Sequence, residues 1–142
     1  MSATAGLDPA AYPFRHDIRV RFAETDAMGV VHHASYLPYL EETRVAFLRE
    51  LGHPYASIRA EGTDFAVISV GVRYIAPLRF DDQVAVHLRV AAASGARFRL
   101  GYLLTCGEAA AATAVTEHAA LDRSGRPQRL PAWLRAMAAA PR

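Results

Sequence analysis

The sequence predicts an α+β domain in which one long helix is cradled by an antiparallel sheet of five to six strands. Three observations lead there. The run from 35 to 51 has helical spacing between a start signal at Ser35 and a stop signal at Gly52. Segments on both sides of it alternate apolar and polar residues at the period of a strand. The later strands are separated by turns of only a few residues, and a parallel crossover needs a dozen or more. A single helix laid on such a sheet is a layered α+β arrangement.

A chain of 142 residues, 52% hydrophobic and 21% charged, fits one globular domain. All sixteen basic residues are Arg, yet the formal net charge is only +2. Arg and acid alternate along the strands, so no broad positive field arises and no nucleic-acid partner is expected. Cys106 is the only cysteine, which excludes an internal disulfide and a Cys-built zinc site. No apolar run is long enough to span a membrane, so a soluble, cytoplasmic protein is expected. Residues 1–14 lack the basic start and apolar run of a signal peptide and read as a flexible leader before a single domain from 15 to 142.

In chain order, Ile18, Val20 and Phe22 alternate with Arg19 and Arg21 as a first strand. In the expected helix, Ser35 reads as the N-cap and Pro38 sits in the first turn, where a missing N–H costs nothing. Leu37, Leu40, Phe47, Leu48 and Leu51 form its apolar stripe, with Arg44 interrupting as a snorkelling side chain. Residues 53–63 read as a loop. A long strand from Phe65 to Ile75 places Ala66, Ile68, Val70, Val72 and Tyr74 on one face, and Gly71 marks close approach or a bulge. Two strands follow around the Ser94-Gly95 turn, then another over 112–121. Leu130, Trp133, Leu134 and Met137 predict a short terminal helix behind Pro131.

Between the first strand and the helix lies Glu24-Thr25-Asp26-Ala27-Met28-Gly29-Val30-Val31-His32-His33-Ala34-Ser35-Tyr36, one dense cluster of acids and imidazoles in an apolar run. Gly29 suits a positive φ, and Asp26 suits a turn in which its side chain bonds the backbone ahead. This stretch strongly resembles the 4-hydroxybenzoyl-CoA thioesterase family of the hotdog fold, and within it the Tol-Pal-associated acyl-CoA thioesterases. Weaker similarity continues through Tyr39–Leu51 and Val72–Asp82. The resemblance implies the hotdog topology and a homodimer, joined edge to edge, or a homotetramer. It also implies hydrolysis of a short-chain or aromatic acyl-CoA, or of a carrier-protein thioester, to the free acid without cofactor or metal.

Asp26 is the implied catalytic carboxylate, acting as nucleophile or as general base on water. His33 would polarise the carbonyl, orient water or protonate the leaving thiolate. N–H groups at the helix start, near Ser35 to Leu37, suit an oxyanion. Val30 and Val31 with Tyr36, Tyr39 and Phe65 fit an apolar tunnel for the acyl group, and Gly29, Val30 and Tyr36 would bind substrate. Ser69 would face the neighbouring subunit's site, and Arg97 matches a region that binds CoA phosphates in relatives. His32 reads as lining or surface. Phe22 stands where several relatives carry Tyr, so any role for a phenol is absent there. Adjacent His32 and His33 diverge and make a poor metal site. No Gly-x-Ser-x-Gly, Gly-x-Gly-x-x-Gly or Gly-x-x-x-x-Gly-Lys-[Ser/Thr] motif is present. Two other readings are a hotdog hydratase or dehydratase, disfavoured by the Asp26–His33 spacing, and a non-catalytic acyl-CoA-binding module, disfavoured by the intact Asp26.

Overall fold

The computed structural model describes residues 6–138. Residues 1–5 of the expected leader and 139–142 of the expected domain lie outside the described residues. Five strands, β1 (Phe14–Arg19), β2 (Asp64–Tyr74), β3 (Gln83–Ser94), β4 (Arg97–Cys106) and β5 (Ala109–Leu121), form one antiparallel sheet in the order β1-β3-β4-β5-β2. The long helix α1 (Tyr36–Glu50) connects β1 at one edge to β2 at the other, so the chain must cross the sheet face between them. Short helices α2 (Tyr55–Ala60) and α3 (Ala132–Ala138) complete the chain. The sequence expectation of one helix on an antiparallel sheet holds.

The inner face of the sheet is built from alternate residues in register. Phe98, Leu100, Tyr102 and Leu104 of β4 stand between Val84, Val86 and Leu88 of β3 and Ala112, Ala114 and Thr116 of β5, all buried. Extra residues in β2 (Ile68), β3 (Ala91) and β5 (Ala111) break the pairing, and such bulges increase local bend and twist.

Several local expectations change. β1 ends at Arg19, because Val20 N–H turns to Asp82 O (2.9 Å) and Phe22–Glu24 form a 3-10 turn. Phe22 is therefore 75% exposed instead of lying on a buried strand face. Ser35 does not cap α1: it is itself helical, in the 3-10 turn His33–Ser35, and makes no side-chain cap bond. His32 caps that turn instead, with its Nδ1 accepting from Ala34 N at 3.0 Å. The buried stripe of α1 is Tyr36, Tyr39, Leu40, Thr43 and Phe47, while Leu37 points outward. Tyrosine takes the core position where its hydroxyl finds a partner, as Tyr39 does on Glu24.

The expected loop 53–63 contains α2, which follows Pro54 and buries Ile58. A helix of six residues is too short to announce itself by periodicity. In β2, the irregularity between Val67 and Ser69 changes the facing. Phe65 and Val67 share the inner face with Val70, Val72 and Tyr74, while Ser69, Gly71 and Arg73 face outward. Within the leader, Pro9–Ala11 form a 3-10 turn and Tyr12 is buried, its hydroxyl donating to Gly6 O at 2.9 Å.

Candidate active site

The 25–31 loop is closed on itself by backbone pairing of Thr25 with Val31. It is fastened to the rest of the fold by Val31 N–H donating to Leu78 O (2.7 Å) and by Val30 pairing with Arg79. Inside it, Asp26 N–H donates to Val30 O and Gly29 N–H to Asp26 O, both at 2.9 Å. Gly29 has φ +81°, and an added Cβ would meet nothing within 4 Å, so glycine is required there by backbone conformation rather than by space.

The Asp26 carboxylate is half-buried. Its Oδ1 accepts from Met28 N (2.9 Å) and more weakly from Val30 N (3.4 Å). Oδ2 has no hydrogen-bond partner among the described residues, so one carboxylate oxygen is fixed and the other is available. After the loop, His32 N–H donates to Glu24 O (2.8 Å) and Ser35 N–H to His32 O (2.8 Å). Ala34 N–H is taken by the His32 ring. The His33 N–H alone in this turn makes no hydrogen bond among the described residues, and it sits one turn ahead of α1. Helix starts concentrate unpaired donors and partial positive charge.

Glu24 anchors the arrangement. Its carboxylate accepts from Arg21 N (2.9 Å), Arg21 Nε (2.8 Å) and the Tyr39 hydroxyl (2.7 Å). Burial by itself would raise the Glu24 pKa, but the bonds from Arg21 and Tyr39 outweigh it and hold the carboxyl below its usual range. Tyr39 is raised, by burial first and then by this bond to a carboxylate. The loop is thereby tied through Glu24 to the buried face of α1. From the other side, the Tyr74 hydroxyl donates to His33 O (2.9 Å), and its ring meets the buried Tyr36 edge-on at 4.9 Å. The His33 ring is exposed and stacks on His32 at 4.2 Å, so the two rings do not diverge as the sequence led one to expect.

The structure thus brings Asp26, Gly29, Val30, His33 and Tyr36 to one end of α1. Ser69 and Arg97 lie elsewhere on this chain: Ser69 is on the outer face of the edge strand β2, and Arg97 begins β4, 3.7 Å from Glu117. Among the described residues no group of His, Cys, Asp and Glu is placed to hold a metal ion, and no helix is long and apolar enough to cross a membrane.

Further along α1, about 9 Å from its start at ~1.5 Å per residue, Glu41 and Arg44 border an apolar cavity of about 210 Å³. Phe47, Phe65, Phe98 and His118 also line it. A polar thread runs beneath. Arg44 Nη1 donates to the Tyr102 hydroxyl (3.4 Å), which bonds Thr116 Oγ1 (2.8 Å), and that atom also bonds His118 Nε2 (2.8 Å). His118 is 2% exposed and stacks on Phe98 at 4.7 Å. Burial, and secondarily the Arg44 charge, lower its pKa to about 4, so the ring is neutral near pH 7. Of the residues expected around the acyl channel only Phe65 lines this cavity, and Gly29, Val30 and Tyr36 do not, because its walls come from six separated elements, α1, α2, β2, β4, β5 and α3, that only the fold brings together.

The family model of the thioesterase-like superfamily matches residues 20–138. The chain is 37% identical over 82 residues to the acyl-CoA thioester hydrolase YbgC of Escherichia coli O6:H1, covering 58% of this chain and 61% of that protein. It is 32% identical over 132 residues to the 1,4-dihydroxy-2-naphthoyl-CoA hydrolase of Synechococcus elongatus, covering 88% and 96%. The crystal structure of the hypothetical protein AQ1494 from Aquifex aeolicus superposes with a TM-score of 0.84 at 35% identity, over 88% of this chain and 98% of that one.

Proposed function

Because the chain belongs to the thioesterase-like superfamily and is a thioester hydrolase of the hotdog fold, we propose that it cleaves short-chain or aromatic acyl-CoA esters with Asp26 as the attacking or proton-accepting carboxylate. The observation that carries this reading is the pairing of two unsatisfied groups at the ends of one braced loop, Asp26 Oδ2 and the His33 N–H. A thioester carbonyl between them receives the attack on carbon and a donor on oxygen. Asp26 either adds directly, giving a mixed anhydride that water then opens, or deprotonates the water that adds. In both cases the carbon–sulfur bond breaks, the thiolate leaves and takes a proton, and acid and CoA result. The His33 ring is exposed and follows the Asp26 loop directly, which suits it to deliver that proton.

The acyl group is read into the cavity two turns along α1. At about 210 Å³ this cavity is smaller than the ~300 Å³ at the low end of drug-sized ligand pockets, and Phe47, Phe65 and Phe98 wall it, which favours a short or aromatic acyl group over a long chain. Edge strand β2 supports a homodimer. It is eleven residues long with one side unpaired, and Val67, Ile68 and Val70 are 51%, 43% and 41% exposed. A long apolar edge is a template for a second strand.

The deciding test is thiol release from benzoyl-, short-chain and long-chain acyl-CoA by the wild type and Asp26→Asn, with fold and oligomeric state checked for both. Turnover of the first two classes with a loss on the order of 10²-fold or more in the variant is expected. Equal rates in wild type and variant would remove Asp26 from the mechanism. Label found in the Asp26 carboxylate after a single turnover in H₂¹⁸O establishes direct attack with water opening the anhydride at the Asp26 carbonyl, whereas label in the product acid alone is given both by the general-base route and by opening at the acyl carbonyl.

A further inference from the structure

The outer face of the sheet, turned away from α1, carries a second built feature. Arg89 of β3 stands opposite Gly101 of β4, Gly101 opposite Val115 of β5, and Val115 opposite Gly71 of β2. Two glycines in this one row leave a trough of about 290 Å³ in the sheet surface, bordered by Arg73, Arg89, Arg99 and Tyr12. The three arginines arise from three different strands, spread over about 14 Å at ~4.8 Å per strand, so their long side chains can reach a common centre.

None of the three has a carboxylate within 4.0 Å among the described residues. The acid nearest in register, Glu117 opposite Arg99, lies 3.7 Å from Arg97 instead. Arg89 is folded down over Gly101, where a Cβ would stand 3.4 Å from its Nε, and its guanidinium carbon is 5.6 Å from the centre of the Tyr12 ring. In that position the Nε is buried without a hydrogen-bond partner. A buried donor on a cation is costly to leave unpaired, and three guanidiniums around one trough repel one another. A multiply charged oxyanion answers both, because guanidinium forks match phosphate oxygens in pairs. We propose that this trough is a binding site for a phosphate-bearing anion with at least the charge of a diphosphate. Its ligand is either the nucleotide end of CoA, which rests on the function read above, or a free polyphosphate acting as effector, which does not.

The test is calorimetric titration of the whole protein with inorganic pyrophosphate at low ionic strength, using wild type, Arg73→Gln/Arg99→Gln, Arg89→Gln, and Arg49→Gln on exposed α1 as a charge control. Arg73 and Arg99 are exposed, so that pair of changes leaves the fold intact, as circular dichroism will verify. Saturable 1:1 binding is expected, weakened about tenfold or more in the double variant and in Arg89→Gln and unchanged in Arg49→Gln. Absence of saturable binding in the wild type, or an equal loss in Arg49→Gln, overturns the site. These readouts need no turnover, so they stand or fall apart from the hydrolase reading. Unacylated CoA then distinguishes the sources. Competition with pyrophosphate, with a raised KM and unchanged kcat for the thioester in the double variant, assigns the trough to the substrate. Pyrophosphate binding without competition assigns it to a separate effector.

Discussion

Replacing Tyr39 by Phe removes one oxygen from a fully buried position and tests whether Glu24 holds the Asp26 loop. The Tyr39 ring is 2% exposed, and its hydroxyl gives Glu24 Oε1 a 2.7 Å bond. Phe fills the same space, so no cavity is made. What is lost is one hydrogen bond to a carboxylate whose side chain is 14% exposed. Bonds to charged groups contribute ~1.5–3 kcal/mol, and because Arg21 keeps its two bonds, the loss should be near the middle, about 2 kcal/mol. In a chain of this size that is roughly a 6 °C fall in Tm. The effect has a pH signature. Glu24 has a lowered pKa in the folded state, so its contribution is present above the unfolded value of about 4.3 and is lost as pH falls through the lower folded value. Tyr39 is raised, so its contribution is complete below about pH 10 and is lost as pH climbs beyond. The variant should therefore lose stability most between these limits and show shallower acid and alkaline limbs in urea titrations. A Tm within about 1 °C of wild type at pH 7 refutes the claim that this bond anchors the loop.

Other consequences are as direct. His118 titrates near its ordinary 6.5 when unfolded and at about 4 when folded, so the unfolded chain binds more protons between those values and stability falls as pH drops through that window, by roughly 3 kcal/mol in full. Urea midpoints should show that fall, and His118→Gln should abolish it. Gly29→Ala forces an L side chain into φ +81° with nothing nearby to clash, so it should cost about 1 kcal/mol in stability. Its larger effect should be on kcat, through the displaced Asp26, as steady-state kinetics will show. Val70→Lys puts a charge on the open edge of β2 and should shift the proposed dimer to monomer in light scattering; unchanged mass in that variant excludes this edge as the seam.

Much of the fold was legible in the sequence because local periodicity and turn residues carry it. The alternation in β3 and β4, the turn at Gly95, and the helix between the apolar loop and Gly52 all follow from short-range patterns. The Asp26 turn was legible for the same reason, since Asp and Gly three residues apart close it with local bonds. What failed was decided at a distance. Val20 leaves the first strand because Asp82, some sixty residues on, offers it a carbonyl, and Tyr39 displaces Leu37 from the buried stripe because Glu24 is there to accept its hydrogen bond. The bulge at Ile68 inverted the faces of the first half of β2, which no period of two can show. The sequence by itself determined the long helix, the strand segments and the turn at Asp26, because those depend on neighbours along the chain, while the six-residue α2 and the early end of β1 were not legible in it. Only the tertiary structure decided which Asp26 oxygen is free, which N–H at the helix start is unspent, and that three arginines from three strands border one trough, because each depends on partners the sheet brings together from across the sequence.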